Sequence, residues 1–308
     1  MPALRRNFLA WCVDTGVSEQ EHPMETTIRP ARATDAAECG RIIYAAFTDI
    51  ADRHGFSRPF PSPEVATGLA TMRLTNPGFY GVVAEEAGNI VGSNFVYLRS
   101  PVAGISPITV DPAAQNRRIG RTLMQAVMDH ATAQGKPSIR LVQAAYNNGS
   151  LCLYTTLGFQ TKAPLSVMNG SPLDLHFPGY DVRCATMADL AACNRICHAV
   201  HGFDRGDELR DAIAASTATV VEHLGRITGY ATGIAFFAHA VGETNQDLKA
   251  LIGAARVFAG PGFLVPTQNY DLFAWCLANG LRLVMPMTLM SIGLYCEPDG
   301  AWLPSIVY

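Results

Sequence analysis

No apolar run in this chain of 308 residues reaches the roughly 18 to 20 residues needed to span a bilayer. The best, Leu283 to Tyr295, is broken by Pro286. Positive charge is not in excess either. A formal net charge of −3 argues against a general nucleic-acid binder, whose domains carry a basic surplus. Neither a membrane nor a nucleic acid is therefore an expected partner. The eight cysteines are scattered through apolar contexts, as expected of reduced thiols in a cytoplasm. Cys193, Cys197 and His198 share a predicted helix with no second ligand cluster, so a packed helical face is favoured over zinc and no metal is expected. Residues 1–23 lack a long apolar core and a clear cleavage site. Residues 1–24 are read as an N-terminal extension, not a secretory signal, with the ordered fold beginning near Met24. Two nucleotide signatures are missing as well: the three glycines of G-x-G-x-x-G, and the Gly-Lys-Ser/Thr of a P-loop.

What the chain does carry is an apolar, β-branched run, Ile105 to Val110, that stops at Asp111-Pro112 and passes through Gln115-Asn116-Arg117-Arg118 into an amphipathic helix. Ile119, Leu123, Val127 and Ala131 recur on one helical face. The helix therefore begins beside Gly120, its free amides and positive dipole end aimed back at the turn. With Arg117, Arg118 and Arg121 around it, that terminus suits a phosphate or pyrophosphate, although any helix after a strand has such an end.

About thirty residues on, Leu141 to Tyr146 reads as a buried strand, followed by Asn147-Asn148-Gly149-Ser150-Leu151-Cys152-Leu153-Tyr154-Thr155-Thr156-Leu157-Gly158-Phe159. Asn148 is expected to cap a short helix and Gly158 to end it. Together the two segments resemble the GNAT superfamily of acetyl-CoA-dependent N-acetyltransferases. Gln115 to Gly120 lies over that family's Gln-x-Arg-Gly-Ile-Gly, with Arg118 in place of the first glycine. Asn147, Ser150, Leu153, Tyr154, Gly158 and Phe159 match its later Asn-x-x-Ala/Ser-x-x-Leu-Tyr-x-x-x-Gly-Phe.

The resemblance implies acetyl-CoA as cosubstrate and a primary amine, expected to belong to a small molecule, as acceptor. It implies that the backbone of Ile108, Thr109 and Val110 meets the pantetheine and thioester. The amides of Asn116, Arg117, Arg118, Ile119, Gly120 and Arg121 would hold the pyrophosphate, and Asn147 the pantetheine arm. Tyr154, with a reference pKa near 10, would protonate the departing thiolate. No carboxylate lies on the strand before the turn, so the base stays open among Asp49, His54, Glu85, Glu86 and water. A non-catalytic acyl-CoA sensor and a protein amine as acceptor are the alternatives.

The chain also repeats itself. Ile28-Arg29-Pro30-Ala31, Asp35 and Cys39 recur as Val182-Arg183-Cys184-Ala185, Asp189 and Cys193. His54-Gly55-Phe56 recurs as His201-Gly202-Phe203, and Pro164 with Met168 recurs as Pro286 with Met290. Each half reads strand, two helices, three strands, long helix, strand, short helix, strand. The expected fold is α/β: two tandem GNAT-like (acyl-CoA N-acyltransferase) domains, each a mixed sheet flanked by helices. The divisions are residues 25–170 with the acetyl-CoA site, a linker at 171–180, and a degenerate domain at 181–308. In the second half Glu243 and Asp247 precede the expected helix Leu248 to Phe258, where they would repel an anion, and Cys276 replaces Tyr154. Residues 300–308 read as a terminal strand placed at an edge or bulge by Pro304.

Overall fold

The computed structural model describes residues 25–307; the extension expected at 1–24 lies outside them. The first half runs β1 (Thr27–Pro30), α1 (Ala36–His54), α2 (Pro63–Thr75), β2 (Phe79–Glu86), β3 (Asn89–Tyr97), β4 (Val102–Val110), α3 (Ile119–Ala133), β5 (Ser138–Ala144), α4 (Asn148–Thr156) and β6 (Gln160–Asn169). The second repeats that order: β7 (Tyr180–Cys184), α5 (Leu190–His201), α6 (Gly206–Ala214), β8 (Thr219–His223), β9 (Arg226–Ala231), β10 (Ala240–Gly242), α7 (Asn245–Ala254), β11 (Phe263–Pro266), α8 (Tyr270–Ala278) and β12 (Arg282–Gly293). One further strand, β13 (Ala301–Leu303), follows. No described helix is long and apolar enough to cross a membrane.

The repeated residues do the same physical work in both halves. Arg29 joins Asp35 at 2.7 Å to Glu85 at 2.6 Å, clamping the entry to α1 onto β2. Arg183 joins Asp189 at 2.8 Å to Glu222 at 2.6 Å in the same way. Gly55 and Gly202 end α1 and α5 in the left-handed conformation, which glycine adopts without strain. Cys193 and Cys197 are buried in apolar core on α5, while His198 is exposed.

Strand exchange links the halves. The larger sheet has the order β1-β2-β3-β4-β5-β12-β6-β11, so the last strand of the second repeat lies between the last two strands of the first. The remaining sheet is β13-β10-β9-β8-β7. The stretch 171–180 thus separates two repeats along the chain, but it does not separate two sheets.

Side-chain alternation puts the helices of the first half on opposite faces. Val82, Ala84 and Val96 pack with α3 and Tyr154, whereas Val83 and Phe95 pack with Cys39 and Ile43 of α1 and Ala66 and Ala70 of α2. All neighbouring strands are antiparallel except β4 and β5, whose parallel ladder covers only Val102↔Ser138, Ala103↔Ile139 and Gly104↔Arg140. Beyond Gly104 the two strands part. Pro107, which has no N–H to give, lies in the β4 stretch that bulges against β3 between Ile105 and Ile108. The carbonyl of Val307 passes where a Cβ on Gly104 would stand, 1.9 Å away, so the close approach of the terminal segment requires glycine there.

Several boundaries differ from the sequence reading: β5 ends at Ala144, not Tyr146, and α7 ends at Ala254, not Phe258. Asn147, not Asn148, is the N-cap of α4, its Oδ1 accepting from the Ser150 N–H at 3.1 Å. The helix expected from Leu248 starts at Asn245, because Thr244 and Asp247 form a capping box that nucleates it earlier. The terminal segment contains a short strand, β13, at the edge of its sheet, with Pro304 directly after it.

Candidate active site

The parting of β4 and β5 opens a cavity of about 630 Å³. It crosses the sheet. On one side lie the end of β4, the start of α3, and α4; on the other lie the end of α1, the α1–α2 connection, and Phe236, Phe237, Met285 and Ile306 from the second half. Past Gly104 the β5-facing edge of β4 has no ladder partner. Its backbone groups are therefore available to a ligand with amides of its own, as in strand addition.

Ile108, Thr109, Val110, Asn116, Arg118, Ile119, Gly120, Arg121, Asn147 and Tyr154 all line this cavity. Of the residues singled out from sequence, Arg117 does not. Its guanidinium turns away to Glu86 at 3.0 Å and to the Ala113 carbonyl at 2.9 Å. The Thr109 hydroxyl pairs with Ser93 at 3.3 Å. Arg121 donates to the Thr156 hydroxyl at 2.8 Å, bringing the start of α3 and the end of α4 together. The Arg118 guanidinium is exposed and has no hydrogen bond or ion pair among the described residues.

Among the described residues, no side chain caps the N-terminus of α3. Its N-cap, Arg118, has φ 65°, and Asn116 has φ 67°. An L-residue in this left-handed region bears about 1–2 kcal/mol of strain that glycine avoids, which is the physical reason a glycine suits the turn. The equivalent helix in the second half is closed. Asp247 Oδ2 accepts from the Thr244 N–H and hydroxyl, each at 2.8 Å, so a carboxylate already fills the α7 terminus. Glu243 turns aside to pair with Arg226. Strand β13 packs beside both β10 and β11, filling the gap that stays open between β4 and β5. Asn269 caps α8 as Asn147 caps α4, but its amide is saturated by Asn245 at 2.7 and 2.8 Å.

Tyr154 is buried, with its ring against Phe159. Burial raises its hydroxyl above the usual tyrosine range, so it remains a protonated donor at any working pH. Among the four side chains considered as bases, Glu85 is held by Arg29, Glu86 by Arg117, and Asp49 by Arg53. None of those three lines the cavity; His54 does.

Gln143 escaped the sequence reading. It is 5% exposed and lines the cavity on the α3–α4 side. Its Oε1 accepts from the Ser150 hydroxyl at 3.1 Å, while Nε2 is buried without an acceptor among the described residues. The available signal was one amide within the apolar strand Leu141-Val142-Gln143-Ala144-Ala145.

Residues 43–159 match the sequence model of the acetyltransferase (GNAT) family. The matched stretch lies wholly within the first half, beginning in α1. That GNAT match ends at Phe159, the last residue of the second motif. An IAA acetyltransferase of Azospirillum brasilense is 27% identical over 109 residues, which are 35% of this chain and 71% of that protein. The mycothiol acetyltransferases it also resembles are matched over less than half their length, from 30% to 45%. Two solved structures extend the likeness of fold across both halves. A Pyrococcus horikoshii protein proposed to be an acetyltransferase superposes with a TM-score of 0.71 at 15% identity, covering 96% of this chain and 99% of the other. A tandem GNAT protein from the clavulanic acid biosynthesis pathway gives 0.53 at 14% identity, with 87% and 98% covered.

Proposed function

We propose that the protein transfers the acetyl group of acetyl-CoA to a primary amine of a small molecule, by direct attack in a ternary complex. The observation that carries this reading is the cavity between β4 and β5, which opens onto the one uncapped helix terminus of the two equivalent ones. The amides at the start of α3 receive the pyrophosphate, with Arg118 and Arg121 beside them. The unpaired edge of Ile108 to Val110 takes the pantetheine amides, assisted by the Nδ2 of Asn147 and the unsatisfied Nε2 of Gln143.

The nitrogen lone pair attacks the thioester carbonyl; the C–N bond forms and the C–S bond breaks. His54 or water takes the proton lost by nitrogen, and Tyr154 gives its hydroxyl proton to sulfur. Positioned proton transfer of this kind contributes about 10²–10⁴-fold. Phe236, Phe237 and Ile306 close the acceptor side, which favours a small molecule over a protein amine.

The test is release of free thiol from acetyl-CoA in the presence of amines, alongside calorimetric titration with CoA. Thiol release that depends on amine supports the proposal. CoA uptake without any turnover would leave a sensor, and no uptake would remove the site altogether.

A further inference from the structure

We infer that the acceptor is an aromatic amine of low basicity, one that enters the cavity uncharged and brings no second positive charge. This rests on the acetyl-transfer reading above and names the substrate class for that site. The acceptor side of the cavity is built from Phe47, Phe60 and Leu69 of the first half and Phe236, Phe237 and Met285 of the second. Phe47 and Phe60 meet edge to face at 5.4 Å, and Phe236 and Phe237 at 5.5 Å. An aromatic ring inserted among them gains both apolar burial and edge-to-face contact.

Charge narrows the class further. Among the described residues the cavity lining includes no aspartate, glutamate or lysine; of its arginines, Arg53 is paired with Asp49, and Arg118 and Arg121 lie at the end assigned to the pyrophosphate. Arg73 stands behind Phe237, its guanidinium 5.4 Å from that ring and 4.3 Å from Phe79. It is 5% exposed and, among the described residues, its Nε and Nη2 are unsatisfied and its one polar contact is Met72 Sδ at 3.9 Å. An aliphatic ammonium or a polyamine would lose its water against the phenyl rings, with Arg73 behind them and no carboxylate among the described lining residues, and would stand as an uncompensated charge in an apolar wall. An arylamine is neutral at pH 7 and escapes that penalty. The ammonium adduct it forms on attack is strongly acidic, so His54 or water suffices to take the proton and no carboxylate is needed.

The experiment uses the full chain with saturating acetyl-CoA and four acceptors: aniline, 4-aminobenzoate, spermidine and kanamycin. Thiol release and the mass of the acetylated product are read for each. We expect kcat/KM for the two arylamines to exceed that for spermidine and kanamycin by on the order of 100-fold or more, the scale of an unpaired buried charge. Phe237→Ala should cost the arylamines about tenfold in kcat/KM, the worth of one ring contact, and leave the acetyl-CoA melting shift unchanged. Phe47→Leu provides a second probe of the same wall and should act in the same direction. Equal or better turnover of spermidine or kanamycin overturns the acceptor class while leaving acetyl transfer intact. A melting shift with acetyl-CoA but no thiol release with any of the four overturns both.

Discussion

Leu165 and Met287 face each other across the β6–β12 ladder. They are equivalent residues, each directly following a proline of the repeated Pro164/Pro286 pair. Ser166↔Pro286 and Pro164↔Thr288 flank them symmetrically. Equivalent strands paired antiparallel at equivalent residues lie on a local two-fold axis, as in an isologous dimer interface. Here the two partners belong to one chain. The consequence is functional, since the strand exchange brings Met285 and Met287 of β12 into the wall of the first half's cavity.

Tyr154→Phe separates chemistry from binding. The hydroxyl has no hydrogen-bond partner among the described residues, so its loss should change stability by less than about 1 kcal/mol. In single-turnover thiol release, kcat should fall by about 10²-fold or more. The melting shift with CoA should stay as in the parent. An unchanged kcat removes the assigned role.

Asn147→Ala and Asn269→Ala form a matched pair. Each loses an N-cap, which costs about 1 kcal/mol in thermal or urea melts. Only Asn147→Ala should weaken CoA in a titration, by roughly tenfold for one lost hydrogen bond. Equal loss from Asn269→Ala would place a ligand in the second half.

Arg118→Gly tests the left-handed turn. Relief of about 1–2 kcal/mol of backbone strain is offset by the roughly 0.5–1 kcal/mol greater entropy of glycine in the unfolded chain, so stability should rise slightly or not at all. CoA affinity should fall about two- to fivefold at low salt, and the difference should vanish near 1 M salt, where exposed charges are screened.

Two buried histidines give the stability a pH dependence. Burial, with Arg205 nearby, holds His201 well below the ordinary histidine range and pushes His239 down to about 4. The unfolded chain binds protons near pH 6.5 that the folded protein refuses. Stability should therefore be full above that pH and decline toward about pH 4, by up to about 1.4 kcal/mol per pH unit for each histidine. Burial alone would raise Glu208, but Arg205 and His239 outweigh it and hold it down to about 2, so the decline continues below the usual glutamate range. Urea melts at about pH 7, 6 and 5 check the slope, and His239→Gln should roughly halve it.

Much of the site was legible because it is local. The turn from Gln115 to Gly120 and the segment from Asn147 to Phe159 are continuous stretches whose residue order carries both the bend and the donors. The repeat was legible for the same reason, and the duplicated clamps of Arg29 and Arg183 show what it encodes. Less legible were two features that depend on a partner or its lack: the orphaned Nε2 of Gln143 and the Asn269 amide taken up by Asn245. A partner, or the lack of one, is not written in the spacing of a residue's neighbours.

Periodicity and turn chemistry along the chain determined the elements, their duplicated order and the uncapped entry to α3. Those depend on interactions a few residues long. Tertiary structure decided which half keeps its cleft. β13 closes the gap beside β10, whereas β4 and β5 part beyond Gly104 and receive aromatic walls from residues more than ninety positions away. Such contacts join segments distant in sequence, and only the packing of the whole chain selects them.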